Sequence, residues 1–232
     1  MKLKRIYQYF SVFEWCLWLG SILTILLAFF LGGNFYFLTL ISSLVGVSAL
    51  IFIAKGNVIG QFLIIIFSII YGVISWQFRY YGEMITYVFM SLPSAVVACV
   101  TWLKNPSKKG KNEVAVGQMT AKKWIVLSLT ALAVTVTFYF ILHYFNTPNL
   151  LLSTLSVTTS FFAAMLLILR SPFYAAAYAV NDLVLIGLWV YAAFTSLSYL
   201  PMVFCFVTFL VNDGYGFISW LKMEKRQKEN FS

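Results

Sequence analysis

The residues of this sequence that could do polar chemistry are few, and most lie inside apolar runs. Asp182 is the clearest. It falls about 11 residues into an apolar segment at 172–194, about 16 Å from its start at 1.5 Å per residue, which is mid-membrane depth. A charged group there costs about 2.5–3.5 kcal/mol on insertion scales, so it is expected to have a use. Tyr178 precedes it by four residues and Trp189 follows by seven, which puts all three on one helical face. Asn181 sits beside Asp182 on a neighbouring face. A carboxylate flanked by aromatic rings and an amide suits a flat organic cation, through charge pairing and cation–π attraction.

A second polar set, in the last apolar segment, comprises Asn212, Asp213, Tyr215, Gly216 and Trp220. A third, at 58–78, contains Gln61, Ser68, Tyr71, Trp76 and Gln77, and Ser91, Pro93 and Ser94 follow in the next segment. The expected substrate-binding residues are Asp182, Asn181, Tyr178, Trp189, Asn212, Tyr215, Gln61 and Tyr71. Structural alternatives stand beside them. Asp182 could serve a hydroxyl or amide on a neighbouring helix, and Asp213 could neutralise a basic residue near the membrane face. Trp76 and Trp220 could be interface anchors. Glu14 is expected to pair with a nearby base, and His143 to be solvated. Cys16, Cys99 and Cys205 read as small hydrophobes, with no CxxC spacing.

Catalytic constellations are missing from the sequence. No Cys/His cluster suits a metal, no Ser-His-Asp set can be assembled around the one histidine, and no GxxxxGK[ST] loop awaits a nucleotide. The sequence therefore predicts neither an enzyme nor a cofactor or metal site, and energy for accumulation has to come from a gradient or from chemistry after entry.

The elements that must position these groups are membrane spans. The 232 residues are 62% hydrophobic and only 10% charged, with a mean hydropathy of +0.89, too little polar surface for a soluble domain of this size. The expected class is an all-α membrane protein, because a chain in lipid must satisfy its own backbone hydrogen bonds. Eight transmembrane helices are expected at 12–32, 35–54, 58–78, 84–103, 123–145, 149–169, 172–194 and 199–221. Gly32-Gly33-Asn34, Lys55-Gly56-Asn57, residues 79–83, Asn146-Thr147-Pro148 and Arg170-Ser171-Pro172 supply the breaks. Met1-Lys2-Leu3-Lys4-Arg5 resembles the start of a signal peptide, but the apolar run after it is too long and lacks a cleavage site, so it reads as a retained span.

The net charge of +9 is explained by topology rather than by nucleic acid, since the basic residues flank the spans. With the N-terminus in the cytoplasm, 15 of the 16 basic residues fall inside, and only Arg79 lies outside. Both termini are expected to be cytoplasmic, in the inner membrane. The expected partners are the lipid bilayer and a small molecule, with homo-oligomerisation left open.

A weak internal repeat is visible. Span 4 ends in Trp102-Leu103-Lys104 and span 8 in Trp220-Leu221-Lys222, while the basic turn at Lys55 has its counterpart at Arg170. Residues 35–103 and 149–221 thus read as two parallel triple-helix units. The cytoplasmic loop 104–122 and the linker helix 123–145 join them, and 12–32 is an extra N-terminal helix. This is a SWEET-like 3+1+3 core within a single polytopic domain.

From about residue 35 to 222 the chain resembles the PnuC-type vitamin transporters. The resemblance is carried by Lys55-Gly56-Asn57, Tyr71-Gly72, Tyr81-Gly82-Glu83, Pro93, Trp102-Leu103-Lys104, Asn181-Asp182, Leu188-Trp189, Asn212-Asp213-Gly214-Tyr215-Gly216 and Trp220. It implies facilitated diffusion of nicotinamide riboside without ATP, and trapping by a separate cytoplasmic kinase. One motif departs. Nicotinamide riboside carriers of the family have a basic residue, then W-x-x-W, then Asn or Asp. Counted from Arg170, those positions hold Tyr174, Ala177 and Asn181. Thiamine, riboflavin and deoxynucleosides therefore stay open as substrates, as do a proton-coupled carrier and, more remotely, a non-transporting scaffold or sensor.

Overall fold

A computed structural model describes residues 9–31, 36–78, 80–107, 113–147 and 149–229. Lys2, Lys4, Arg5, Arg79, Lys108, Lys109, Lys111, the Gly32-Gly33-Asn34 break and Pro148 lie outside the described residues. Nine α-helices are found among them: α1 (Val12–Leu31), α2 (Phe37–Ala54), α3 (Ile59–Gln77), α4 (Tyr81–Thr86), α5 (Leu92–Lys104), α6 (Ala121–Tyr144), α7 (Leu150–Ile168), α8 (Phe173–Ala193) and α9 (Leu200–Lys228). A π-helical turn, Tyr87–Ser91, joins α4 to α5, so the helices make eight candidate membrane spans. Each expected segment falls on one of them. The last runs further than its apolar stretch suggests, because α9 continues through the charged tail to Lys228.

Lipid imposes the local structure. Hydroxyls inside the spans turn back onto their own helix, as Thr130, Thr154 and Thr158 do toward carbonyls four residues earlier. Where helices meet, hydroxyls bridge them: Thr135 to Thr158 at 2.7 Å joins α6 to α7, and Trp18 donates to Ser48 at 3.0 Å between α1 and α2. Gly46 of α2 leaves room for the Phe209 ring of α9, where an added Cβ would collide.

The helices pack in an exchanged pattern. The first helix of the 35–103 stretch, α2, packs on the last helix of the chain, α9, and α7 packs on α5 in the same way. At one end of the bundle each pairing is fixed by a tryptophan. Trp220 Nε1 donates to Ile53 O at 2.8 Å, and Trp102 Nε1 donates to Leu167 O at 3.3 Å. The turns after α2 and α7 are built alike. Asn57 N donates to Phe52 O as Ser171 N does to Leu166 O, and Gly56 and Arg170 both have positive φ, 66° and 59°. Gly56 rather than Lys55 is therefore the counterpart of Arg170, a shift of one residue from the pairing expected.

The segment 113–118 straps this end. Val114 N donates to Gly56 O and Gly117 N to Arg170 O, each at 2.9 Å, and Gln227 of α9 grips the backbone of Val114 and Val116. Burial lowers the affinity of the Arg170 guanidinium for its proton, although one of its nitrogens donates to Ala115 O at 3.1 Å. The two peripheral spans are α6, which packs mainly on α7, and α1, which lies against α2 and α9.

Candidate functional site

At the middle of α8, Asp182 is 2% exposed and borders a cavity that offers about 60 Å³ to the centres of water molecules. Tyr178 and Asn181 of the same helix border it too, together with Asp213 of α9, Ser160 of α7, Ser68 of α3, and Tyr87 and Ser91 of the π-helical turn. A π-turn widens the helix and re-aims side chains, which is how both ends of Tyr87–Ser91 reach the cavity.

The electrostatics are one-sided. Asp182 and Asp213 lie within hydrogen-bonding reach of each other, and Asp182 Oδ2 has no protein partner. No Lys, Arg or His is among the described lining residues. Asn181 ties α8 to α7: its Oδ1 accepts from Ser160 Oγ at 2.9 Å and from Thr159 Oγ1 at 2.8 Å. Ser68, fully buried, has no partner for its hydroxyl.

Two aromatic layers bound the cavity. On the strapped side Tyr174 lines it and packs on Trp220 at 4.9 Å, which in turn meets Trp102 at 5.5 Å. On the other side Phe67 and Phe206 line it and meet Tyr71, whose hydroxyl accepts a hydrogen bond from Trp189 Nε1 at 3.0 Å. A roomier groove of about 620 Å³, bordered by Trp76, Phe89, Phe138 and Phe145 among others, holds no charged group to orient a polar ligand.

Of the eight residues expected to bind, Asp182, Asn181 and Tyr178 border the cavity. Tyr71 and Trp189 form its far roof instead, bonded to each other. Gln61 is fully buried, a helical turn from the lining residue Ile64, with neither amide atom partnered. Asn212 and Tyr215 turn away from the cavity to α1. Asn212 donates to Ser21 Oγ at 3.0 Å and to Thr208 O at 2.8 Å, and Tyr215 donates to Glu14 Oε1 at 2.7 Å. They sit on the face of α9 that the extra helix covers, which helical spacing does not reveal. Asp213, part of the second polar set in the sequence with neutralisation of a nearby base as its structural alternative, is at the cavity beside Asp182. The signal for it was available: it follows Asn212 by one residue and so points about 100° away.

Glu14 takes two contacts from Lys55 Nζ, at 2.9 and 3.0 Å, and Lys55 also stands 5.0 Å over the Tyr9 ring. Burial raises the Tyr9 phenol above its ordinary pKa, partly offset by the hydrogen bond from Asn57 Nδ2 at 2.8 Å.

The chain is similar to known proteins in sequence and in fold. Residues 36–222 match the family described as nicotinamide mononucleotide transporter. A curated nicotinamide riboside transporter PnuC from Neisseria mucosa is 26% identical over 213 residues, covering 90% of this chain and 81% of its own length. Its namesake from Haemophilus influenzae is 26% identical over 190 residues, covering 82% and 81%. The crystal structure of the vitamin B3 transporter PnuC superimposes with a TM-score of 0.83 at 25% identity, covering 94% of both chains.

Proposed function

Because the chain belongs to the nicotinamide mononucleotide transporter family, a family of membrane transporters, we propose that it carries nicotinamide riboside across the inner membrane by facilitated diffusion. The observation that carries this reading is the cavity between the two aromatic layers, where Asp182 and Asp213 face each other without a compensating base. Nicotinamide riboside brings a permanently positive pyridinium. Placed between two carboxyls it removes their mutual repulsion, and at about 5 Å in a medium of effective dielectric about 20 the attraction to each is about 3 kcal/mol before desolvation is charged against it.

The roles divide by chemistry. Asp182 and Asp213 offset the ring charge, Tyr178 and Tyr87 offer ring faces, and Ser68, Ser160 and Ser91 offer hydroxyls to ribose or carboxamide. A nucleoside is larger than the cavity, so the helices around it part to admit one. Breaking the Tyr71–Trp189 contact opens one side, and breaking the two Trp-to-carbonyl braces opens the other, giving alternating access about a midplane site. The substrate is released unchanged on this reading, and a separate cytoplasmic kinase, as the family resemblance implies, retains it.

Both termini lie in the cytoplasm on this reading, because the strapped end carries Lys55, Lys104, Lys122, Lys123, Arg170 and the basic tail. The test is binding of nicotinamide riboside to the purified protein. Asp182→Asn is expected to weaken it about 10- to 100-fold, the loss of about 1.5–3 kcal/mol for a charged partner. Unchanged affinity removes Asp182 from the role.

A second reading has a specific observation behind it. Where nicotinamide riboside carriers hold two tryptophans, this chain has Tyr174, committed to Trp220, and Ala177. Thiamine, whose thiazolium is also a flat cation, fits the same carboxyl pair, and direct competition between the two vitamins in the binding assay decides between them.

A further inference from the structure

Among the described residues, Glu83 is the one buried carboxyl that neither the central cavity nor an ion pair uses. It is 2% exposed and lies at the end of the bundle opposite the strap, in the first turns of the fourth span. One oxygen accepts from Ser156 Oγ of α7 at 3.2 Å, and the other has no protein partner. A single neutral hydrogen bond does not offset the burial of a carboxylate. No described Lys, Arg or His forms an ion pair with it.

Rings stand around it instead. Tyr71, Tyr80 and Tyr87 all lie within electrostatic reach of Glu83. Tyr71 and Tyr87 are 4.2 Å apart between centroids, and Tyr80 packs on Trp189 at 5.0 Å. Burial first, then Tyr199 and Glu83, push the Tyr80 phenol up to about 12, so it keeps its proton and remains a hydrogen-bond donor. Tyr199 packs on the Tyr80 ring at 5.9 Å and on Phe78 at 5.3 Å.

We propose that Glu83 and the rings of Tyr71, Tyr80 and Tyr87 form a second, outer site for a flat organic cation, which holds the arriving substrate before it reaches Asp182 and Asp213. The combination of a carboxylate and several aromatic faces is that of a cation cage. Tyr87 connects the two sites. It follows Glu83 by one helical turn, about 6 Å along the axis, borders the central cavity, and lies within electrostatic reach of both Glu83 and Asp182. A cation leaving Glu83 thus slides along one ring to the next carboxyl without crossing an apolar gap.

The inference rests on the cationic substrate of the proposed function, and two readouts separate it from that reading. In one, purified protein binds nicotinamide riboside at equilibrium. In the other, reconstituted vesicles take it up from the Glu83 side. Glu83→Gln keeps the Ser156 contact and removes the charge. It is expected to lower the efficiency of entry about tenfold while leaving the equilibrium affinity of the central site within twofold and the melting temperature no lower than that of the wild type. Tyr80→Leu, which removes one wall, is expected to lower entry several-fold in the same pattern. Ser156→Ala, which removes only the structural contact, is expected to leave entry intact. Wild-type entry by Glu83→Gln overturns the outer site, and so does a fall in affinity that parallels the fall in entry. If the wild-type protein neither binds nor carries nicotinamide riboside, the substrate assignment fails first and this site with it.

Discussion

At the scale of the residue, the paired carboxyls decide most. Asp182 and Asp213 come from adjacent helices into one buried space, where the desolvation of two carboxyls weighs against folding of the ligand-free protein. Groups that oppose folding yet persist in a cavity are the signature of a binding site. Asp213→Asn is therefore expected to act in two opposite ways. It replaces a buried acid by a neutral amide and raises the stability of the empty protein by about 1–2 kcal/mol, while weakening binding of the cationic vitamin about tenfold or more. Thermal unfolding with and without ligand checks both effects. A drop in melting temperature without ligand would make Asp213 a structural partner instead.

At the scale of the element, α1 earns its place through one buried contact set. Glu14, with its side chain 4% exposed, holds Lys55 from the turn after α2 and Tyr215 from α9, so the extra helix ties together the two helices that meet at the Trp220 brace. Lys55→Met leaves Glu14 charged and buried and is expected to cost about 2–3 kcal/mol, short of the fullest burial because the Lys55 side chain keeps 23% of its exposure. Adding Glu14→Gln to Lys55→Met is expected to restore most of the loss. A double-mutant cycle on unfolding in detergent measures the coupling.

At the scale of the whole molecule, charge fixes orientation. The strapped end gathers the basic turns, the strap and the tail, whereas the described turns at the other end, 145–147 and 194–199, carry no Lys or Arg. In a Cys16→Ser background, a membrane-impermeant maleimide added to intact cells is expected to label Phe194→Cys, at a turn of the uncharged end, and to spare Lys225→Cys until the membrane is opened. Labelling of Lys225→Cys from outside would invert the topology.

Much of this was legible in the amino-acid order. The eight spans are set by apolar length and by breaks at Gly, Asn and Pro, and lipid leaves no alternative to helix for them. The depth of Asp182 and its face with Tyr178 follow from helical spacing alone. The tryptophans at 102 and 220 could be matched in sequence, but their reciprocal bonds to Leu167 and Ile53 could not, because a donor's partner lies on another helix. Spacing also could not say which side of α9 the extra helix covers, and so it offered Asn212 and Tyr215 where packing delivers Asp213. Glu83 was visible as a letter in Tyr81-Gly82-Glu83, yet only its burial among three tyrosines distinguishes it from a solvated residue at a helix start. Periodicity determines where a side chain lies around its own axis, and packing alone decides what that face meets.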